Sequence, residues 1–121
     1  MNEYTLKKEI ISSYSVLPFM EGLETNVVTV ITAAGIITGI PIPSEGETDN
    51  TIKLIETINS SITDRYRKDL GISDEERLSS NDGFFTLKDV KLIVGTTTNS
   101  LQILNIFYDQ VIAITIGAPS N

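Results

Sequence analysis

The chain contains no cysteine, no histidine and no tryptophan among its 121 residues. Without cysteine it has no disulfide, no thiolate metal ligand and no cysteine nucleophile. Without histidine it lacks the side chain most often used as a general base or metal ligand near neutral pH. These absences exclude the histidine-dependent serine and cysteine triads and the usual zinc sites.

The remaining residues do not form another catalytic or cofactor motif. The segment Gly71-Ile72-Ser73 is not a nucleophile elbow, because Glu75 stands where that motif requires glycine. Gly35 and Gly39 do not have the spacing of a dinucleotide-binding loop. The sequence therefore predicts a protein that is not an enzyme, with no catalytic residue and no cofactor.

Two acidic stretches are candidate sites for a hard cation such as calcium. They comprise Glu45, Glu47 and Asp49, then Asp74, Glu75, Glu76 and Asp82. A calcium loop requires oxygen ligands at alternating positions around a central glycine, and neither stretch has that spacing. We therefore expect solvated loop carboxylates and helix-start charges, and no metal site.

The charge balance argues against a nucleic-acid partner. Nine basic and 16 acidic residues give a net charge of -7 and an isoelectric point near 4.4. Such a chain repels phosphate backbones unless its basic residues are segregated. The densest basic group, Arg65, Arg67 and Lys68, is interrupted by Asp64 and Asp69, which indicates a solvated helix end.

Residues 26–44 carry no charge, but they do not have the composition of a membrane helix. Threonine, glycine and proline interrupt the segment, and β-branched residues dominate it. This pattern predicts a β-hairpin and no membrane insertion. The first residues also lack the apolar core of a signal peptide, so we expect a cytoplasmic protein.

Two helices are predicted within a single domain spanning residues 1–121. The first lies within residues 1–18, with an apolar stripe at Leu6, Ile10, Ile11 and Tyr14. The second spans residues 49–70, begins at Thr48 or Asp49 and ends at Gly71. Its apolar positions are Ile52, Ile55, Ile58 or Asn59, Ile62, Tyr66 and Leu70.

Other local signals predict a short helical turn and a frayed end. Ser73 and Glu76 match a capping box, which predicts a turn of helix over residues 74–79. Residues 117–121 are predicted to form a frayed tail.

Five strands are predicted at residues 27–32, 36–42, 84–94, 100–107 and 110–116. Turns or bends are expected at Gly35, Gly39, Gly95 and Asp109. Pro41 and Pro43 predict that the second strand reaches a sheet edge or ends there. The order predicts an α+β fold that is mainly β. Its centre is a small, strongly bent, five-stranded antiparallel sheet or an Sm/SH3-like barrel, with an N-terminal helix and a helical insertion between strands 2 and 3.

The last two predicted strands form an apolar hairpin, and both of its faces are hydrophobic. Two interpretations remain open: the barrel interior and a helix cover these faces, or another copy of the chain covers part of them. The candidate contacts for a homo-oligomer are Leu101, Ile103, Leu104, Ile106, Phe107, Val111, Ile112 and Ile114.

Two family resemblances bear on function. The leading helix, the bent second strand with Gly39 and the final two strands joined by a short turn resemble the Sm-like barrel, whose subunits pair edge to edge into rings. The inserted helix departs from compact members of that family, and its RNA-contacting residues are not matched. This resemblance implies a fold and an oligomeric scaffold of unknown ligand.

The second resemblance covers about residues 26–118. Residues 34–39 (AGIITG), residues 84–95 (FFTLKDVKLIVG) and the apolar end of the chain up to Gly117 resemble the gas vesicle accessory proteins of the GvpU family. That family implies a small cytosolic protein that assists vesicle assembly or clustering together with other assembly proteins.

Three functional hypotheses follow from the sequence. The first is a non-enzymatic binding and assembly protein, with gas vesicle accessory function as its setting. The second is an Sm-like oligomeric scaffold. The third, from another class, is a small-ligand-binding protein or enzyme that uses a pocket under the 49–70 helix.

Overall fold

The structure is a computed structural model of the chain, and it describes residues 5–15, 26–42, 47–73, 76, 78 and 82–119. The elements in chain order are α1 Leu6–Tyr14, β1 Val28–Thr32, β2 Gly35–Ile42, α2 Asn50–Leu70, β3 Phe84–Val94, β4 Thr97–Phe107, a 3₁₀ turn Tyr108–Gln110 and β5 Val111–Ile116. The N-terminal helix, the helix between strands 2 and 3 and the five-stranded antiparallel sheet confirm the predicted α+β class.

Some predicted features fall partly or wholly outside the described residues. These are the ends of the leading-helix segment 1–18, most of the turn over residues 74–79 and the last two residues of the tail. Of the predicted capping box, Ser73 and Glu76 are described, and the Ser73 N–H donates to Glu76 Oε1 at 3.3 Å.

The strand order is β4-β3-β2-β1-β5, and all neighbours are antiparallel. The first four strands form a meander, and β5 returns to pair with β1. β2 is therefore an interior strand and not an edge, but it ends at Ile42, directly after Pro41, which is the other predicted alternative. Pro43 lies outside the described residues. Pro41 lies beyond Gly39, the last β2 residue opposite β1, so its missing N–H costs no bond to that neighbour.

Two glycines permit close contacts within the sheet. At Gly35, where φ is 150°, an added Cβ would lie 2.5 Å from the carbonyl oxygen of Ile93. At Gly39 the β2–β3 register shifts, and an added Cβ would lie 2.9 Å from the Cβ of Leu87. Only glycine fits such close approaches without a shift of the neighbouring strand.

The short connection between β4 and β5 requires the sheet to be rolled. In a flat sheet the two edge strands would lie about 19 Å apart, since neighbouring strands are separated by about 4.8 Å. A 3₁₀ turn rises only about 2 Å per residue, so the Tyr108–Gln110 turn bridges roughly half that distance. The sheet must therefore curl until its two edges meet at this corner, as in a small barrel.

The rolled sheet encloses the hydrophobic core. Its buried members come from α1 and all five strands: Ile11, Val28, Val30, Ile37, Phe85, Leu87, Val90, Ile106 and Val111. Leu104 and Ile114 are partly buried and pack against the same cluster. Alternate residues of β3 and β4, such as Thr86 and Asn105, point to the opposite, outer face.

The helix α1 buries only part of the predicted stripe. Ile11 is buried and Tyr14 is half-buried, whereas Leu6 is 75% exposed and Ile10 is also exposed. Ile11 enters the core, and the buried Lys8 ammonium donates to the carbonyl oxygen of Leu78 at 2.8 Å. The buried face is therefore rotated from the centre of the predicted stripe toward Lys8, whose long aliphatic stem can lie within apolar surroundings.

The helix α2 begins and ends as expected, but its predicted apolar face is largely uncovered. Asp49 caps it through hydrogen bonds from the Thr51 and Ile52 N–H groups, and Gly71 ends it with φ at 69°. Ile52 is its only buried residue. The exposed apolar residues are Leu54, Ile58, Ile62, Tyr66 and Leu70.

Two leucine truncations test the placement of the core. Leu87→Ala removes a side chain with no exposed surface and should lower the free energy of unfolding by about 2–5 kcal/mol. Leu6→Ala makes the same change at an exposed position and should stay within about 0.5 kcal/mol of wild type. Urea denaturation of dilute protein measures the free energy of unfolding of both variants. Equal losses of stability would contradict the placement of Leu87 in the core and of Leu6 on the surface.

Candidate functional site

The two edges of the sheet are main-chain surfaces that pair with no further strand of the described residues. β4 pairs only with β3, and β5 pairs only with β1, so one long side of each has no strand neighbour. The Tyr108 N–H donates to Gly83 O across the β3–β4 ladder. Because the direction alternates along an antiparallel strand, the N–H groups of Ile103, Asn105 and Phe107 point away from β3, toward the open side.

The same alternation applies at the other edge. The Gly117 N–H donates to Val27 O at 2.7 Å, which continues the β1–β5 ladder. The N–H groups of Ile114 and Ile116 therefore point away from β1. Each edge presents a row of donors and acceptors that another strand can engage.

Neither edge strand carries a charged residue. The sequences TTNSLQILNIF of β4 and VIAITI of β5 contain no lysine, arginine, aspartate or glutamate. The charged side chains of the sheet, Lys88, Asp89 and Lys91, all lie in the interior strand β3. Monomeric proteins commonly protect their edges with charges, and that protection is missing here.

The predicted apolar hairpin does not form, because β4 and β5 lie at opposite ends of the strand order. The 3₁₀ turn joins them at a corner, but no pairing links them. The prediction followed from the short break around Asp109, which is the usual length of a hairpin loop. The structure uses that short break to turn from one sheet edge to the other.

The candidate oligomer contacts divide into interior and surface residues. Ile106 and Val111 are buried in the core, and Leu104 and Ile114 pack against it. Ile103 is half-buried. The exposed members are Leu101, Phe107 and Ile112, of which Phe107 is 56% and Ile112 is 69% exposed. Only part of the predicted set is therefore available to a partner.

The predicted turn residues lie at the irregular points of the sheet. Gly35 and Gly39 occupy the close contacts described above. Gly95, with φ at 60°, lies in the turn between β3 and β4, and Asp109 is the central residue of the 3₁₀ turn.

Polar contacts hold α2 on the outer face of β4. The side chains of Asn59 and Asn105 exchange hydrogen bonds at 2.9 and 3.1 Å. Thr86 Oγ1 also donates to Asn105 Oδ1, at 2.9 Å. At the start of the helix, the side-chain amide of Gln102 donates to Asp49 Oδ2 at 2.9 Å. The sequence named Asn59 as an alternative to Ile58 on the packed face of this helix, but it did not identify the polar partners Asn105 and Gln102, because helix–sheet contacts are normally inferred from apolar spacing.

An ion pair fastens the segment before α2 to the sheet. The Lys88 ammonium donates to Glu47 Oε1 at 2.6 Å, and the two side chains are only 19% and 12% exposed. This hydrogen bond is the main reason that the pKa of Glu47 lies below 4.5, with a further contribution from the Asp49 N–H. The contact links two parts of the chain that are 41 positions apart.

The exposed apolar flank of α2 lies on the side of the helix that faces away from β2 and β3. The flank bearing Glu56 and Ser60 lines a cavity with Ile42 and Thr86, so it faces β2 and β3. At about 100° per residue, Ile58 lies on the other flank of the helix. We call the exposed residues Leu54, Ile58 and Ile62 of that other flank the α2 stripe.

A cavity of about 460 Å³ lies between α1, the end of α2 and the adjoining ends of β3 and β4. Ile62, Phe84 and Phe107 form apolar parts of its wall. At its rim the Tyr66 hydroxyl donates to Asp82 Oδ2 at 2.8 Å, and this bond to the carboxylate raises the pKa of Tyr66.

The other polar groups of the cavity bond within the protein. The Lys8 ammonium reaches Leu78 O and also lies 5.4 Å from the centre of the Tyr108 ring. Ser12 and Tyr108 share a hydrogen bond at 3.3 Å. These contacts fasten α1 to the corner between β4 and β5, where Tyr108 stacks on the core residue Phe85.

The described residues contain no cluster of acidic side chains able to hold a metal ion. Within the same part of the chain, no helix combines the length and hydropathy required to cross a bilayer.

Comparison with known proteins gives no relative. No protein-family profile matches the chain, and no match was found among curated proteins or solved structures.

The Glu47–Lys88 pair predicts a pH-dependent contribution to stability. Because the pKa of Glu47 is lower in the folded state, its contribution is present above 4.5 and is lost as the pH falls through the folded-state value. Glu47→Gln should therefore lower the melting temperature at neutral pH, and the difference from wild type should vanish in strong acid. Thermal melts over the acid range measure this.

A double-mutant cycle with Lys88→Met is the control. The two substitutions should be less than additive at neutral pH if the contact is formed. Full additivity, or a Glu47→Gln effect that persists unchanged in acid, would contradict the ion pair.

Proposed function

We propose that this protein is a non-enzymatic assembly protein that self-associates through the open edges of its sheet. The observation that carries the proposal is the absence of charge from both β4 and β5. An edge that must remain unpaired is normally blocked by lysine, proline or a strong twist. Edges without charge suit strands that pair with another chain.

The two edge strands differ in length, and this difference favours assembly by pairing of unlike edges. β4 has 11 residues and β5 has six, so the two edges are not equivalent surfaces. Pairing of β4 in one copy with β5 in the next is heterologous, and it produces a closed ring when the rotation between copies permits closure. The pairing also uses both edges, so a closed ring leaves neither edge exposed.

The exposed apolar residues support the same proposal. Phe107 lies at the end of β4, and Ile112 protrudes near the start of β5, where the β1–β5 register shifts. The Phe107 ring is edge-on to Phe84, with 5.9 Å between ring centres. Burial of such side chains contributes about 25 cal/mol per Å² of apolar area removed from water.

The resemblances supply two settings for this activity. Gas vesicle accessory function is the first, and it rests on the sequence blocks at residues 34–39 and 84–95. An Sm-like scaffold is the second, supported by the leading helix and the very short turn between the last two strands. Gene neighbours encoding vesicle shell proteins would favour the first setting, whereas a ring without such neighbours would favour the second.

Binding of a small ligand is the second candidate function. The cavity of about 460 Å³ is within the usual size range of ligand sites, roughly 300–1,000 Å³. Its polar groups form hydrogen bonds to one another or to the main chain, as at Tyr66 and Asp82. We therefore rank it below assembly. A metabolite that raises the melting temperature of a strictly monomeric protein would reverse this order.

A proline substitution on the open side of β4 tests the proposal. Ile103→Pro removes an N–H that points away from β3, so the internal ladder keeps its bonds while an incoming strand loses a donor. We expect the wild-type protein to be a discrete oligomer by light scattering coupled to gel filtration, and Ile103→Pro to be mainly monomeric.

Ile103→Ala is the matched control, because it shortens the same side chain but keeps the N–H. It should remain largely oligomeric, and circular dichroism should show that both variants are folded. A wild-type protein that stays monomeric at high micromolar concentration would refute the proposal. Equal oligomerisation of the proline variant would show that this edge is not used.

A further inference from the structure

The path of α2 places its apolar flank beside the open edge of β4. The helix contacts β4 at Gln102 near its start and at Asn105 near its middle, and it reaches Asp82 through Tyr66 near its end. Its hydrogen bonds to β4 are therefore to residues 102 and 105 of the strand, and its end lies near the start of β3. Residues 49 and 66 are about 25 Å apart along a helix, which matches the length of about seven strand residues.

Ile52 is buried and Ile62 lines the cavity beside α1, but the other apolar residues on this flank of α2 are largely uncovered by the described part of the chain. Asn59 faces the sheet, whereas Leu54 is 60% and Ile58 is 46% exposed. In an amphipathic helix of an isolated domain the apolar side faces the core. Here that side is rotated toward the space into which β4 would accept another strand.

A strand added to β4 would lie about 4.8 Å beyond it, beneath the α2 stripe. The outer face of β4 would continue into the outer face of the incoming strand, because side chains opposite one another share a face. In β5 the outer-face residue Ala113 is exposed, and its partner Ile31 on β1 is exposed as well. The small Ala113 side chain leaves room for a helix to approach closely.

We propose that the α2 stripe is an inter-subunit clamp that covers the outer face of β5 and β1 of a second copy of this chain. This inference rests on the proposed self-association and adds a second contact to it. Leu54, Ile58 and Ile62 of one copy pack on Ala113 and Ile31 of the next. The inserted helix thus serves assembly through its stripe, whereas its polar line and the buried Ile52 serve the subunit's own fold.

The size that a stable interface requires supports a second copy of the chain as the partner that covers the α2 stripe. A stable interface buries about 1,200–2,000 Å² in total. β5 has six residues, so strand pairing alone supplies a narrow contact formed mainly by main-chain hydrogen bonds. The stripe lies directly beside that contact, and its burial against Ile31 and Ala113 adds the apolar area that the strand pair lacks.

Glutamate substitutions on neighbouring residues of α2 test the clamp. Ile58→Glu places a charge in the stripe, whereas Thr57→Glu places the same charge about 100° around the helix at an exposed position. By analytical ultracentrifugation we expect Ile58→Glu to raise the dissociation constant by about tenfold or more, and Thr57→Glu to change it by less than about twofold.

Charge complementation provides the second measurement. Ile31→Glu should also weaken association, and a chain carrying both Ile58→Lys and Ile31→Glu should regain it, because each interface then joins a lysine to a glutamate. Melting temperatures of the diluted single variants should remain close to wild type, since both positions are exposed in one chain.

The outcomes separate this inference from the proposed function. If the wild type assembles and Ile103→Pro disrupts it while Ile58→Glu does not, edge pairing stands and the clamp is wrong. If the wild type is monomeric, both fail. If Ile58→Glu destabilises the diluted monomer, the subunit itself covers the stripe, and the clamp is refuted.

Discussion

The three-residue turn between β4 and β5 constrains every other part of this structure. It joins two strands that lie at opposite ends of the strand order, so the sheet has to roll until its edges meet at one corner. The roll creates the interior that buries Ile106 and Val111 on either side of the turn. Beyond that corner, neither edge strand pairs with another strand of the described residues, and this is the feature on which the proposed self-association rests.

The two helices have separate tasks on this rolled sheet. α1 contributes Ile11 to the core and is fastened at the corner, where Ser12 meets Tyr108. α2 lies on the outer face, held by the reciprocal amides of Asn59 and Asn105 and by the ion pair that precedes it. Because the polar line and the buried Ile52 hold α2 in place, Leu54 and Ile58 on the flank away from β2 and β3 remain exposed.

The positions of the helices and strands could be predicted from local sequence, whereas the pairing of the strands could not, because it depends on non-local packing. Runs of β-branched residues, the Asp49 cap and the left-handed Gly71 act within a few residues, so the strands and α2 were located closely. The strand that pairs with β5 is decided by the curl of the whole sheet. The short segment between β4 and β5 instead predicts that these two strands form a hairpin, which is wrong. The burial of Lys8, which is 5% exposed, also depends on a distant contact, because the Leu78 carbonyl that it reaches lies 70 positions away.

Residue-resolved amide exchange tests the central claim most directly. The N–H groups of Ile103, Asn105 and Phe107 point away from β3, so a single subunit leaves them open to solvent while Leu104 and Ile106 are bonded. If β4 pairs with another copy, the first group should become protected as the protein concentration rises, and the second should be protected throughout. Fast exchange of the outward amides at every concentration, in a well-folded protein, would contradict the account.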